Sequence, residues 1–133
     1  MQQNNKTQSE LKTGTIHKYF DRNILTLTMS NATKKNAINY EMYAALSQAL
    51  DQAATNQDIH VVVLTGEDSA FTSGNDVNAF EKRDTTTSEP PASIVFLKSL
   101  ATFPKPIIAK VNGVAIGIGS TMLLHCDLVY ASQ

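Results

Sequence analysis

Apolar residues along this chain alternate between strand-like and helix-like spacing. Thr15 to Phe20 and Ile24 to Met29 are short β-rich runs separated by Asp21-Arg22-Asn23, which predicts a hairpin. SNATKKNAIN, residues 30–39, interrupts the pattern and reads as a loop, with Asn39 placed to cap a helix. From Tyr40 to about Ala54, the positions Met42, Leu46, Ala49, Leu50 and Ala53 share one helical face. After TNQD, residues 59–65 form a strand that Gly66 ends. Its VVVL centre is apolar at successive positions, which predicts a parallel strand buried on both faces. Ile94, Leu97, Leu100 and Ala101 return to helical spacing, Pro104 and Pro106 bracket the end of that helix, and residues 107–111 form another buried strand. A short helix near 120–125 and a strand over 127–131 follow. Helices alternating with buried strands predict an α/β fold with at least partly parallel pairing.

The polar segments divide the chain. Residues 1–13 read as a polar, poorly ordered tail ahead of a single domain over 14–133. EKRDTTTSEPP, residues 81–91, is a charged, proline-bearing loop expected to move. With 133 residues, 42% hydrophobic and 17% charged, the chain is large enough for one real core and shows no internal repeat. A net charge of −1 gives no electrostatic reason to expect nucleic acid or an anionic membrane as partner. The single cysteine, Cys126, cannot form an internal disulfide and suits a reducing compartment. The opening MQQNNKTQSELKTG lacks an apolar targeting core or an Arg-rich amphipathic pattern, so the cytoplasm is the expected location. The most apolar stretch, 107–124, is interrupted by Lys110, Asn112 and glycines, against a membrane span.

Two glycine-bearing turns stand just past the C-terminal ends of buried strands: FTSGNDV, residues 71–77, and GVAIGIGSTM, residues 113–122. Ligands of α/β folds gather at such ends, where backbone N–H groups are free. A group meeting both turns would find two converging amides, an oxyanion hole for charge developing on a carbonyl oxygen. Tight strand-to-helix turns alone would also ask for these glycines. Other chemistries fit worse. GIGSTM lacks the third glycine of a dinucleotide fingerprint, no GxxxxGK[ST] loop or GxSxG elbow occurs, and Ser73 and Ser120 have no base at suitable spacing. His125 and Cys126 are adjacent, with no further His or Cys near enough to make a metal site.

NATKKNAIN, VVVLTGEDSAFTSGNDV, FPKPIIAKVNGVAIGIG and CDLVYAS together resemble the crotonase (enoyl-CoA hydratase/isomerase) superfamily, in its order and spacing, from about Ile16 onward. The resemblance implies a spiral of ββα units, of which this chain holds the N-terminal part, and an acyl-CoA or enoyl-CoA thioester as substrate. No separate cofactor is implied, coenzyme A being part of the substrate. The family stabilises an enolate oxyanion with two backbone amides. Mapped here, these belong to Asn75, within Ser73-Gly74-Asn75-Asp76-Val77, and to Ile118, between Gly117 and Gly119. The NATKKNAI loop matches the segment lining the coenzyme A site, so Lys34 and Lys35 are candidates for phosphate contact. The backbone of Asn36, Ala37 and Ile38 is then the candidate for adenine. Ordinary solvated charge is the competing reading for the lysines.

The departures narrow the activity. Hydratases of the family carry a glutamate two residues beyond the last glycine of the second turn, and Thr121 stands there. Adding water needs two proton-transfer roles, whereas moving a double bond needs one carboxylate to shuttle a proton. The SGNDV and GIG variants resemble the branch holding delta3,delta2-enoyl-CoA isomerases, whose glutamate comes from a later segment, so an isomerase is favoured. Family members run about twice this length. The further half supplies that carboxylate and the helices that build trimers, so a homo-oligomer of trimer type is expected for a full-length form. The alternative is a truncated, non-catalytic or vestigial coenzyme A-binding domain.

Overall fold

A computed structural model describes residues 14–77 and 88–132. The expected tail and most of the expected mobile loop lie outside the described residues.

Strand β1 (Thr15–Asp21) turns into β2 (Ile24–Ser30) through Arg22 and Asn23, both with positive φ. Two successive left-handed residues give the twist that a two-residue antiparallel hairpin needs. Asn39 accepts from the Met42 N–H at 2.9 Å and starts helix α1 (Tyr40–Thr55), as its position predicts. Strands β3 (Val61–Gly66) and β4 (Ala70–Thr72) follow, then helix α2 (Ala92–Ala101). Strands β5 (Ile107–Val111) and β6 (Val114–Ala115), the short helix α3 (Ile118–Leu123) and strand β7 (Leu128–Ala131) complete the order. Among the described elements this is ββα three times over, with β7 beginning the next step.

The main sheet has the order β1-β2-β3-β5-β7, antiparallel only at β1–β2. Leu27, Leu64 and Ala109 lie in register across it, and all three are buried beneath α1 and α2. The stripe of α1 that meets them includes Met42, Tyr43, Leu46 and Leu50, joined by Phe96 and Leu100 of α2. Alternate residues of β3 differ from expectation. Val62 and Leu64 are buried, but Val61 and Val63 are half-buried, so only one face of this parallel strand is fully covered. The strand also starts two residues later than its apolar run. His60 and Val61 donate backbone N–H groups to the Asn23 carbonyl instead.

Two other corrections concern the glycine turns. Residues 70–72 and 114–115 pair as a second, parallel two-stranded sheet that their spacing did not predict. The helix expected near 120–125 occupies Ile118–Leu123, so Gly117 is its N-cap and Ile118 its first residue.

Candidate active site

Pairing of β4 with β6 lays the two glycine turns side by side. Ile116 N–H, just past β6, donates to the carbonyl of Thr72, the last residue of β4, at 3.1 Å. A side chain added at Gly74, where φ is +101°, would bring its Cβ to 3.0 Å from the Ile116 carbonyl oxygen. Glycine there answers both a left-handed backbone and a close approach. The three glycines of the second turn have separate reasons. A Cβ at Gly113 would lie 1.9 Å from the Ser69 carbonyl oxygen, and one at Gly119 would lie 2.7 Å from Thr72 Cγ2. Gly117, with φ +60° and ψ −120°, has nothing within 4 Å of an added Cβ. Of the three, Gly117 alone faces open space among the described residues.

The lysine loop joins the same cluster. Ile38 forms a parallel bridge with Asn75: Ile38 N–H donates to the Gly74 carbonyl at 2.8 Å, and Asp76 N–H donates to the Ile38 carbonyl at 2.9 Å. Ser73 N–H donates to the Lys35 carbonyl, and the Ser73 hydroxyl to the Lys34 carbonyl. Thr72 Oγ1 donates to the Asn36 carbonyl at 2.7 Å and accepts from Gly74 N–H at 3.1 Å. Lys35 and Asn36 both have positive φ, a costly pair for non-glycine residues. Asn36 is 1% exposed and repays that cost with its side chain, accepting from Asn31 N–H and donating to the Glu67 and Ala70 carbonyls.

This wiring separates the two lysines. Lys34 Nζ pairs with buried Asp76 at 2.9 Å and so holds the loop to the first turn. Lys35 is exposed, and among the described residues its ammonium has no partner. The N–H groups of Asn36, Ala37 and Ile38 donate within the protein, and their carbonyls accept from Thr72, Asn31 and Asp76. A ligand at this backbone would therefore have to use a carbonyl's second lone pair.

Peptide geometry aims the two candidate amides. All described peptides are trans, and a trans peptide holds its C=O and N–H on opposite sides. The Gly74 carbonyl is fixed on Ile38, so the Asn75 N–H points away from the lysine loop. The Gly117 carbonyl accepts from Ser120 and Thr121 N–H at 3.0 and 3.1 Å, so the Ile118 N–H points back out of the turn. Among the described residues neither N–H has a hydrogen-bond partner, nor does that of Gly117. Two unpaired donors in adjacent turns can receive a developing oxyanion where they converge.

The remaining candidates are placed more plainly. Val77 and Thr121 are exposed, and the Thr121 hydroxyl donates to the Gly117 carbonyl at 3.3 Å. Ser120 donates its hydroxyl to the Ala115 carbonyl and, like Ser73, serves the turn. Cys126 donates to the Met122 carbonyl at 3.4 Å, and burial, with Asp127 beside it, pushes its thiol up to about 11. Among the described residues no cluster of His, Cys, Asp and Glu is arranged to hold a metal ion, and no helix is long and apolar enough to cross a membrane. A surface depression lined by Ala54, Thr55, Gln57, Ile59, His60 and Lys105 lies at the far end of α1, roughly 24 Å along the helix. There Lys105 Nζ donates to the Ala53, Asn56 and Ile59 carbonyls and closes the helix end.

Tyr43 and Thr72 belong to the site without having been singled out by pattern. Tyr43 donates its hydroxyl to Asn75 Oδ1, and its buried ring sits 5.8 Å from that of Phe96. Burial raises the pKa of its phenol, which keeps it a donor. The only signal in the sequence is its place on the buried stripe of α1, three residues before Leu46.

Comparison with known proteins identifies the family and the fold. Residues 19–133 match the family described as enoyl-CoA hydratase/isomerase. The mouse protein named enoyl-CoA delta isomerase 3, peroxisomal, is 37% identical over 115 residues, covering 83% of this chain and 36% of its own length. The 2,3-dehydroadipyl-CoA hydratase of Escherichia coli K12 is 34% identical over 110 residues, covering 83% of this chain and 43% of its own. The solved enoyl-CoA hydratase/isomerase of Pseudoalteromonas atlantica T6c superposes with a TM-score of 0.81 at 41% identity, over 87% of this chain and 46% of that one. The chain thus spans less than half the length of each. Its fold is a partial crotonase-like α/β fold, as the resemblance implies.

Proposed function

The chain belongs to the enoyl-CoA hydratase/isomerase family, and from that premise we propose that it binds an acyl-CoA thioester with the carbonyl oxygen between the Asn75 and Ile118 N–H groups. One observation supports this reading: both peptides have their carbonyls engaged on the protein side and, among the described residues, their N–H groups unpaired, in turns that touch. Exposed Lys35 is the candidate for a coenzyme A phosphate, since Lys34 is engaged with Asp76.

The reaction favoured is isomerisation. A base removes a proton from C2 of a 3-enoyl thioester, the electron pair passes into the carbonyl oxygen, and the two N–H groups hold the resulting enolate. Return of the proton at C4 moves the double bond to C2–C3 and regenerates the thioester. Each such donor is worth roughly 3–4 kcal/mol in comparable sites. Thr121 in place of a hydratase glutamate favours this over hydration. The relatives' names include both activities at similar identity and support the family rather than either branch.

The carboxylates favour a second reading for these 133 residues alone. Glu67 accepts from the Ser30 hydroxyl, Asp76 pairs with Lys34, Asp127 accepts from Ile107 N–H, and Asp68 is exposed on a loop. None stands at the place of Thr121. With none of the described carboxylates near the turns at the place of Thr121, and a general base contributing on the order of 10²–10⁴-fold, these 133 residues should bind thioester and turn it over weakly. Incubation with a 3-enoyl-CoA, followed by absorbance of the conjugated 2-enoyl thioester, tests this. Binding with little turnover, and isomerisation with poor hydration once a family-like C-terminal half is appended, is the expected outcome. Robust turnover by the short chain would mean that one of these four carboxylates is the base. Absence of thioester binding would sink the two-amide site itself.

A further inference from the structure

Asn75 is anchored three times, and the third anchor is not part of its backbone. Its flanking peptides are clamped to Ile38, by the Gly74 carbonyl on one side and Asp76 N–H on the other. Each clamp is a single hydrogen bond about which its peptide can still tilt, and a tilt of the Gly74–Asn75 peptide swings the Asn75 N–H relative to Ile118. The side chain closes that freedom. Asn75 Oδ1 accepts from the Tyr43 hydroxyl, which comes from one turn inside α1. Tyr43 is a stiff support. It is 5% exposed, its ring is braced against Phe96, and its own N–H is bonded to the Asn39 carbonyl at 3.1 Å.

We propose that Tyr43 is a positioning residue, its hydroxyl holding the Asn75 side chain so that the Asn75 backbone N–H stays aimed at the thioester oxygen. The inference rests on the two-amide reading above and adds a residue to it. It also gives the buried phenol a role beyond satisfying itself, since any acceptor would have met the needs of a structural hydroxyl. With the oxygen end of the Asn75 amide taken by Tyr43, the Asn75 side chain is held in place.

The test uses the whole chain and butyryl-CoA labelled at its carbonyl carbon, a saturated thioester that cannot isomerise. The isotope-edited infrared band of the bound carbonyl reports the pull of the two donors, and free coenzyme A, which has no acyl carbonyl, serves as the control ligand. In the unaltered protein the band should fall below that of free butyryl-CoA. Tyr43→Phe keeps the ring and should move the band back toward the free value. It should lower the preference for butyryl-CoA over coenzyme A by roughly 2- to 10-fold, the worth of one imperfect hydrogen bond. Affinity for coenzyme A itself should not change. Asn75→Ala removes the acceptor instead of the donor and should give the same shift, and the double variant no more than either. If Tyr43→Phe does not fold, Asn75→Ala carries the test. A folded Tyr43→Phe with an unaltered band overturns the role of Tyr43 and leaves the two-amide site standing. An unshifted band in the unaltered protein overturns the two-amide site, and the role of Tyr43 with it.

Discussion

Replacing Asn36 by alanine removes the side chain that ties the lysine loop to the end of β3 and the start of β4. Three hydrogen bonds of 2.9 Å are lost, one accepted from Asn31 N–H and two donated to the Glu67 and Ala70 carbonyls. Asn36 is 1% exposed, so water cannot replace them. At a net 0.5–1.5 kcal/mol each, the three bonds contribute about 1.5–4.5 kcal/mol. The backbone adds to this. Asn36 has φ +60°, where alanine is less tolerated than asparagine by about 1 kcal/mol. A total of about 2.5–5.5 kcal/mol is expected, a large fraction of the stability of an ordinary domain. Urea unfolding should show a lower midpoint with an unchanged slope, because the surface exposed on unfolding is the same. Asn36→Gly separates the two contributions: it loses the same bonds but accepts positive φ, and should recover about 1 kcal/mol relative to alanine. A loss below about 1 kcal/mol for alanine would refute the account of the loop. Equal losses for alanine and glycine would refute the backbone part alone.

Three further outcomes follow from the same geometry. Asn75→Ala should lose no more than the roughly 2- to 10-fold thioester preference that the Tyr43 contact supplies, because the donor is the backbone, whereas Asn75→Pro removes that N–H and should cost about 3–4 kcal/mol of enolate stabilisation, with circular dichroism confirming the fold; equal, large losses from both would place the donor on the side chain. Gly117→Ala meets no atom within 4 Å, so its cost of about 1–3 kcal/mol in urea unfolding is conformational; a neutral result would mean that the turn relaxes freely. Cys126 has its thiol pushed up to about 11, first by burial and then by Asp127. The folded state therefore holds this proton more tightly than the unfolded state, and the contribution is complete below the ordinary value of 9.0 and fades as pH rises through about 11. Urea midpoints across that window should fall more steeply for the unaltered chain than for Cys126→Ser, and parallel curves would contradict the shift.

Local pattern carried most of the framework. Helical spacing of Met42, Leu46 and Leu50 behind an Asn39 cap, and short β-branched apolar runs bounded by Gly66 and by Pro106, made α1 and the core strands β3 and β5 legible, though not that only one face of β3 is fully covered. Through the family resemblance, the motifs SGNDV and GIG nominate the peptides of Asn75 and Ile118. Tertiary structure decided the rest. Strands β4 and β6 have three and two residues, too few for any period to register, yet their pairing is what sets the two turns against each other. Gly113, Gly117 and Gly119 look equivalent in a string of letters. Two of them are filled by neighbouring atoms of the protein, and only Gly117 opens to space. Lys34 and Lys35 are adjacent and alike, but the buried carboxylate of Asp76, forty-two positions from Lys34, engages one and leaves the other exposed. The phenol of Tyr43 meets the amide of Asn75 across thirty-two positions. Periodicity records which face of an element is apolar, because burial acts on every residue of that face. A single hydrogen bond between distant segments leaves no period, and the aim of each amide depends on such bonds.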